Sequence, residues 1–296
     1  MNRFFLEDFC RKALSEDIGF QDHSTAYLFD GKSLNSHIVC KSASGILCGT
    51  EIIKILFELL DKKISIQFHK KDGELIKAGE IIMEFSGNAS SILQGERTAL
   101  NILAYLSGIS TKANEFKKLL NSAIMKLDKK NLIDQANKIK ISDTRKILPL
   151  YRQLVKYAVH IGGLTNHRYN LSDGIMLKEN HIKAFGSISG AIKKLRENSP
   201  FMLKIECETE NFGQFHEAYS AGADVIMLDE FTPEDYLKTE DFLKTHQKNF
   251  LLEISGNLSE EKLLPILKLG LPIDILSIGT NLTLSVNVID FSMRYQ

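Results

Sequence analysis

The stretch Asp224-Val-Ile-Met-Leu-Asp229 shows the pattern that decides the fold, a short apolar run that ends in a polar side chain. Four other runs in the second half of the chain end in a similar way: Gly174–Lys178, Met202–Glu206, Phe250–Ser255 and Ile273–Gly279. About 15 to 23 residues separate consecutive runs, which is enough for a helix each time. We therefore predict a serial array of parallel strands and helices, in which both faces of each strand are buried.

The carboxyl ends of parallel strands in such an array converge on one rim, where functional sites are built. Lys178, Glu208, Asp229, Ser255 and Gly279 lie at or just after the predicted strand ends. We expect these residues to surround a single mouth, although about a hundred residues of chain separate the first from the last.

The first part of the chain lacks this alternation. Strands are predicted near 36–41, 64–69 and 80–85, followed by a long helix from about 91 to 107 and a second helix over 112–121. Strands followed by helices are typical of a separate α+β domain, which we expect to end near residue 108.

The composition is that of an ordinary soluble globular protein with a local excess of positive charge. Lys+Arg and Asp+Glu both total 37 in 296 residues, so the net charge favours neither nucleic acid nor a membrane. Between Asp143 and Lys183, however, seven bases face three acids, which leaves four net positive charges and suggests a small anionic ligand. The four cysteines form no CxxC and no signal-peptide pattern is found, so a cytoplasmic location is expected.

The carboxylates at the strand ends are suited to binding a metal. Glu206 and Glu208 alternate on one strand and so face the same way, and Asp229 ends the next strand. Such carboxylates can hold Mg²⁺ together with substrate phosphates. The alternative is a structural network in which they pair with Lys178 or Arg145.

Basic residues gather at the same rim. Arg145-Lys146 follows a strand that ends at Asp143, and Asn166-His167-Arg168 comes about twenty residues later. Together they offer forked and point-charge donors for carboxylate or phosphate. One arginine alone would be read as a solvated surface charge, but the clustering at strand ends favours a binding site.

Two glycine-containing turns follow the last two strands, Ser255-Gly256-Asn257 and Ser277-Ile278-Gly279-Thr280. Backbone N–H groups without a nearby Cβ let a phosphate approach closely, as in barrel phosphate sites.

Arg97 lies elsewhere, on the flank of the apolar stripe of the helix 91–107. It is therefore expected to pair internally or to reach a ligand or a subunit partner.

In combination these motifs closely resemble the quinolinate phosphoribosyltransferase family, along nearly the whole chain and in order. The matching stretches are Glu96–Asn101, Leu106–Ile109, Asp143-Thr144-Arg145-Lys146, Lys156–Val159 with Gly162-Gly163, Asn166–Arg168, Leu177–Ile182, the Glu206/Glu208 strand, Leu228-Asp229, Glu253–Gly256 and Ser277–Gly279 with Leu282-Thr283.

The resemblance implies an α/β fold with an N-terminal α/β sandwich domain over 1–108 and an incomplete, open α/β barrel of the TIM type over 109–280. The tail 281–296 would pack back on the first domain. It implies a cytoplasmic homodimer or higher oligomer, with active sites shared between subunits. Its small-molecule substrates would be quinolinate and phosphoribosyl pyrophosphate, used in NAD biosynthesis to make nicotinate mononucleotide, CO₂ and pyrophosphate.

By matching position, the resemblance implies a site formed by Arg97, Thr144, Arg145, Lys146, His167, Arg168, Lys178, Glu208, Asp229, Ser255, Gly256, Asn257, Ser277, Ile278 and Gly279. Lys146, Glu208 and Asp229 would be catalytic. Glu208 and Asp229 would bind Mg²⁺, directly or through the phosphoribosyl pyrophosphate. Arg97 would reach across to the pyridine dicarboxylate of the neighbouring subunit.

The chain departs from the family pattern at several positions, among them Leu164, Glu230 and Leu284, and its segment 127–140 is longer. Three other functions are kept open. One is a related pyrophosphorylase of the branch found with molybdate transport genes, which has a different substrate. Another is a non-catalytic sensor that binds the anion, and a third is an aldolase-like barrel in which Lys178 forms a Schiff base.

Overall fold

The computed structural model describes residues 1–25, 27–29, 31–256 and 259–295. The helices are α1 (Arg3–Ile18), α2 (Thr50–Leu60), α3 (Ala89–Met125), α4 (Lys130–Ala136), α5 (Arg152–Ile161), α6 (Glu179–Phe185), α7 (Ile188–Asn198), α8 (Phe212–Ser220), α9 (Pro233–Thr245), α10 (Glu260–Leu269) and α11 (Thr280–Thr283). The strands are β1 (Ser33–Cys40), β2 (Ser44–Ile46), β3 (Ser65–Phe68), β4 (Leu75–Lys77), β5 (Ile81–Asn88), β6 (Lys140–Ser142), β7 (Ile175–Leu177), β8 (Ile205–Thr209), β9 (Val225–Asp229), β10 (Leu251–Ser255), β11 (Ile275–Ser277) and β12 (Phe291–Tyr295).

Contacts divide the chain into two compact units. The first comprises Met1–Asn114, Gln153–Gly163 and Ser285–Gln296, and the second comprises Glu115–Arg152 and Leu164–Leu284. Within the described residues, no helix combines the length and the apolar character needed to cross a membrane.

The first unit contains an antiparallel sheet with strand order β12-β1-β5-β3. The strands predicted near 36–41, 64–69 and 80–85 are confirmed as β1, β3 and β5. Strand β12 comes from the C-terminal tail and pairs with β1, with Ile38 opposite Met293. Helix α2 contributes to the core of this unit, where the ring of Phe57 lies 4.6 Å from that of Phe85.

Helix α3 differs from the prediction, because one continuous helix replaces the two expected over 91–107 and 112–121. Glycine in a helix interior costs about 1 kcal/mol relative to alanine, which agrees with the prediction that the first helix ends just before Gly108. In the structure a Cβ on Gly108 would lie 2.6 Å from the backbone oxygen of Asn287. Glycine is therefore required there by the close approach of another segment, and packing overrides its weak helix propensity.

The second unit is an open α/β barrel built on a parallel sheet with strand order β6-β11-β10-β9-β8-β7. Each of the five apolar runs of the sequence overlaps a strand of this sheet. Strand β8 begins at Ile205 and not at Met202, because Leu203 N–H donates to the Pro200 carbonyl in a turn that leaves Met202 exposed.

The carboxyl ends of the strands are level with one another. Ser255 lies opposite both Asp229 and Ser277, and Ser277 lies opposite Ser142 in turn. Thr165 forms an isolated parallel bridge with Ser142 on the other side of β6. The residues that follow these strands therefore meet at one rim, as predicted.

Helix α5 begins at Arg152, three residues after Pro149. Leu150 has a φ of 70°, a left-handed conformation that interrupts the helix between the proline and Arg152. The helix ends at Ile161, and a Cβ on the following Gly162 would lie 2.4 Å from the Cβ of Ala113, so glycine is required there.

Candidate active site

A cavity of about 460 Å³ opens at the rim of the second unit. It is lined by Thr144, Arg145, Lys146, His167, Arg168, Leu171, Met176, Lys178, His181, Glu208, Met227, Asp229 and Ser255. Most of the predicted site residues are therefore brought together by the fold, with a cluster of bases facing two carboxylates.

The loops that carry the bases are anchored by one buried carboxylate. Asp143 is fully buried at the end of β6. Its Oδ1 accepts a hydrogen bond of 2.8 Å from the backbone N–H of His167, and its Oδ2 accepts one of 3.0 Å from Nδ2 of Asn166. Asp143 thus fixes the segment 166–168 beside the loop that begins at Thr144.

The two arginines of the cavity are held close to each other. Arg168 donates from Nη1 to the Gly174 carbonyl at 2.7 Å. Burial and the nearby charge of Arg145 lower the pKa of Arg168, although a guanidinium remains protonated at any physiological pH. Nε of Arg145 is buried and has no hydrogen-bond partner among the described residues. Two desolvated like charges with a spare donor favour an anionic ligand.

Lys178 and Glu208 form an ion pair across the cavity, with Nζ 2.6 Å from Oε2. The backbone N–H of Lys178 donates to Nδ1 of His181 at 3.1 Å, so His181 orients the start of helix α6. Schiff-base chemistry needs an amine that is free to attack a carbonyl, whereas Nζ of Lys178 is engaged by the Glu208 carboxylate. This geometry disfavours the aldolase-like alternative.

His167 is held by two buried carboxylates from inside the barrel. Its Nε2 lies 3.1 Å from Oε2 of Glu206 and 3.6 Å from Oε2 of Glu253. Burial lowers the pKa of His167, but the hydrogen bonds and charges of the two carboxylates outweigh it and raise this pKa to about 10. Burial also raises the pKa of Glu206, against the hydrogen bond from His167.

The contact made by Nδ1 of His167 favours a neutral ring, in contrast to the contacts made by Nε2. Nδ1 of His167 accepts a hydrogen bond of 2.8 Å from the Arg168 backbone N–H, which fits a neutral ring. Two unit charges 3.1 Å apart attract by about 5 kcal/mol at an effective dielectric constant of about 20. A neutral hydrogen bond contributes about 1 kcal/mol. The two carboxylates favour the imidazolium form, which would add a cation to the cavity, and the Arg168 N–H opposes it.

His167, Glu206 and Glu253 also have ligand atoms within 4.8 Å of one another, as a metal site would. In this structure Nε2 pairs with Glu206 at 3.1 Å, and we interpret the cluster through the support that this pair gives to the His167 ring.

The carboxylates that line the cavity itself are Glu208 and Asp229, at the ends of neighbouring strands. Both carboxylates are half-buried, so a ligand in the cavity can reach them while they remain partly hydrated. One or two carboxylates beside bound phosphates is the donor set that Mg²⁺ takes in proteins. These residues therefore fit the predicted Mg²⁺ ion.

The two glycine turns differ in their access to the cavity. Gly256 is exposed with a φ of 147°, and a Cβ there would meet nothing within 4 Å. A Cβ on Gly279 would lie 3.1 Å from Cδ of Lys146, so this glycine makes room for the lysine side chain. Ser277 and Ile278 are buried, and the Ile278 N–H donates to the Ser142 carbonyl. Asn257 lies outside the described residues.

Arg97 lies on helix α3 in the first unit and is exposed. The buried positions of this helix turn are its neighbours Thr98, Ala99 and Leu100.

Sequence reasoning missed the apolar wall and the interior carboxylate. Met176 and Met227 line the cavity two residues before Lys178 and Asp229, so strand alternation could have identified them. Glu253 lies two residues before Ser255 in an otherwise apolar strand, which is an unusual place for a carboxylate.

Comparison with known proteins gives a consistent result over the whole chain. Residues 22–107 match the N-terminal domain of quinolinate phosphoribosyl transferase and residues 123–294 match its C-terminal domain. A probable nicotinate-nucleotide pyrophosphorylase (carboxylating) of Bacillus subtilis is 42% identical over 293 residues, covering 99% of this chain and 94% of the relative. The nicotinate-nucleotide pyrophosphorylase of Dictyostelium discoideum is 35% identical, with coverage of 99% and 97%.

Solved structures agree with these relatives. The crystal structure of NadC from Streptococcus pyogenes superposes with a TM-score of 0.85 at 36% identity, covering 100% of this chain and 99% of that one. The nicotinate-nucleotide pyrophosphorylase of Francisella tularensis also gives a TM-score of 0.85, at 32% identity, with coverage of 100% and 98%.

Proposed function

This chain belongs to the quinolinate phosphoribosyltransferase family, and from that premise we propose that it transfers the phosphoribosyl group of phosphoribosyl pyrophosphate to quinolinate. Loss of CO₂ then gives nicotinate mononucleotide, with pyrophosphate as the other product, in NAD biosynthesis. The observation that carries this proposal is the cavity at the barrel rim, where Arg145, His167 and Arg168 face the carboxylates Glu208 and Asp229.

The arginine side of the cavity suits a pyridine dicarboxylate. Arg145 and Arg168 are planar forked donors, and His167 adds a third positive charge. Gripping both carboxylates orients the ring nitrogen for attack on C1 of the ribose. Met176 and Met227 add apolar surface to the same cavity. Such a pocket prefers a flat aromatic dianion over a monocarboxylate.

The opposite side suits the phosphoribosyl group. As the C1–O bond to pyrophosphate breaks, positive charge develops on the sugar and negative charge on the leaving group. Glu208 and Asp229 would stabilise the first, and Lys146 the second. Mg²⁺ held at Glu208 and Asp229 would further neutralise the leaving pyrophosphate.

Decarboxylation follows from the transfer. Once the ring nitrogen carries the ribose it is cationic, and its charge stabilises the electron pair that stays on the neighbouring ring carbon when the carboxylate departs as CO₂. The resulting ylide then takes a proton to give nicotinate mononucleotide. The cations on the second carboxylate hold the ring in place during this step.

We further propose that the enzyme is a cytoplasmic homodimer or higher oligomer in which Arg97 of one copy completes the site of another. The exposure of Arg97 in its own chain supports this proposal, because an exposed guanidinium is free to reach a ligand on a partner. The four cysteines are free thiols, which suits a reducing compartment.

The test is incubation of the purified protein with quinolinate, phosphoribosyl pyrophosphate and Mg²⁺. We expect nicotinate mononucleotide, CO₂ and pyrophosphate in equal amounts, and no product when nicotinate replaces quinolinate. Product from nicotinate would point to another substrate class, as in the molybdate-associated branch. Tight binding of quinolinate by a well-folded protein without any pyrophosphate release would show an anion sensor.

A further inference from the structure

We propose that Glu206 and Glu253, which lie inside the barrel and outside the substrate cavity, are positioning residues that hold the His167 ring in place for the pyridine dicarboxylate. This inference rests on the proposed function, because the dicarboxylate is the ligand that His167 would meet. The two glutamates act through His167 and do not themselves line the cavity.

The two carboxylates reach His167 from strands on either side of β9. Glu206 lies opposite Val225 and Glu253 lies opposite Met227, so β8 and β10 each contribute one acid to the same interior face. Both side chains are almost completely buried, at 8% and 1% exposure, and the His167 side chain is 14% exposed. His167 borders both the substrate cavity and a second space of about 290 Å³ that contains the two acids.

Compared with an apolar barrel interior, the two buried acids bring no evident gain in stability. A buried ion pair is often no more stabilising than apolar residues of the same volume, because desolvation offsets the attraction. Oε1 of Glu206 and both carboxylate oxygens of Glu253 also lack a hydrogen-bond partner among the described residues, so Glu253 acts on His167 through its charge at 3.6 Å. An apolar barrel interior would avoid both costs, so the carboxylates are explained better by the histidine that they hold.

His167 is fixed from the opposite side as well. Its backbone N–H donates to Asp143 at 2.8 Å, and its Nδ1 lies 2.8 Å from the backbone nitrogen of Arg168. With Nε2 directed at Glu206 and Glu253, the backbone and both ring nitrogens are engaged. The ring therefore has one orientation, and removal of an interior acid releases one end of it.

The experiment compares Glu206→Leu and Glu253→Leu, which remove the acceptor, with Glu206→Gln, which keeps one. Glu217→Gln is the matched control, since Glu217 accepts hydrogen bonds from Ser189 and Ser187 on a different surface of the barrel. Steady-state KM is measured for quinolinate and for phosphoribosyl pyrophosphate, together with the melting temperature.

We expect each leucine variant to raise the quinolinate KM at least about tenfold, with the phosphoribosyl pyrophosphate KM within about twofold of wild type. Glu206→Gln should recover most of the loss, and Glu217→Gln should leave both constants unchanged whatever its melting temperature. In a His167→Gln background, adding Glu206→Leu should have little further effect on the quinolinate KM. If one leucine variant fails to fold, the other decides.

Three outcomes would overturn the inference: a quinolinate KM that stays near wild type in a folded leucine variant, equal rises in both KM values, or full additivity with His167→Gln. A wild-type protein that forms no nicotinate mononucleotide would instead refute the proposed function. In that case calorimetric binding of quinolinate to the same variants still tests the positioning role separately.

Discussion

The charge of the His167 ring can be measured directly by NMR. With a pKa raised to about 10, the ring should remain an imidazolium from neutral pH to pH 9. In protein labelled with ¹⁵N-histidine, the two ring nitrogens should both show the shifts of protonated nitrogen over that range. His167→Gln assigns the signal by its disappearance.

The size of the effect follows from the two carboxylates. Moving the pKa of a histidine from its ordinary 6.5 to about 10 corresponds to about 5 kcal/mol, at about 1.36 kcal/mol for each pH unit. Nε2 lies at similar distances from the two acids, 3.1 and 3.6 Å, and burial opposes them. Each carboxylate therefore supplies at least about half of the net rise in the pKa of His167. Glu253→Gln should lower this pKa by about 2 pH units.

The sign of the stability effect is fixed by the direction of the shift. Because the folded state raises the pKa of a base, the stabilisation is complete below pH 6.5 and is lost as pH rises through about 10. Glu217→Gln should leave the titration unchanged, since Glu217 bonds to Ser189. Nitrogen shifts of a neutral ring at pH 7, with the proton on Nε2, would refute the argument and show that the Arg168 N–H decides the charge.

Three further predictions concern the rim and the subunit partner. Arg97→Ala should raise the quinolinate KM by the equivalent of roughly 2–4 kcal/mol and change the phosphoribosyl pyrophosphate KM far less. Once subunit exchange is shown by tagged pull-down, mixing this variant with Glu208→Ala should restore activity, and an absence of rescue would exclude a shared site. Glu230 has a φ of 53°, so Glu230→Asn should raise the free energy of unfolding in urea by about 0.5–1 kcal/mol, and a loss of stability would contradict this. Gly279→Ala places a Cβ 3.1 Å from Cδ of Lys146, so the phosphoribosyl pyrophosphate KM should rise about fivefold with an unchanged melting temperature, and an unchanged KM would remove Lys146 from that role.

The sequence by itself determined the barrel and most of its rim. Apolar runs that end in a polar residue specify buried parallel strands, and such strands place their carboxyl ends at one edge whatever the details of packing. Lys178, Glu208, Asp229 and Ser255 could therefore be assigned to one cavity from local pattern alone, and the structure brings them together.

Only the tertiary structure decided how the interior acids are used and where helices begin and end. Glu206, Glu253 and His167 are distant in sequence, and their meeting depends on the register of β8 and β10 against β9, which no local pattern encodes. Helix α3 runs through Gly108 for a similar reason, because a neighbouring segment packs where a Cβ would be. Local propensity amounts to about 1 kcal/mol at such positions, and close packing of a distant segment outweighs it.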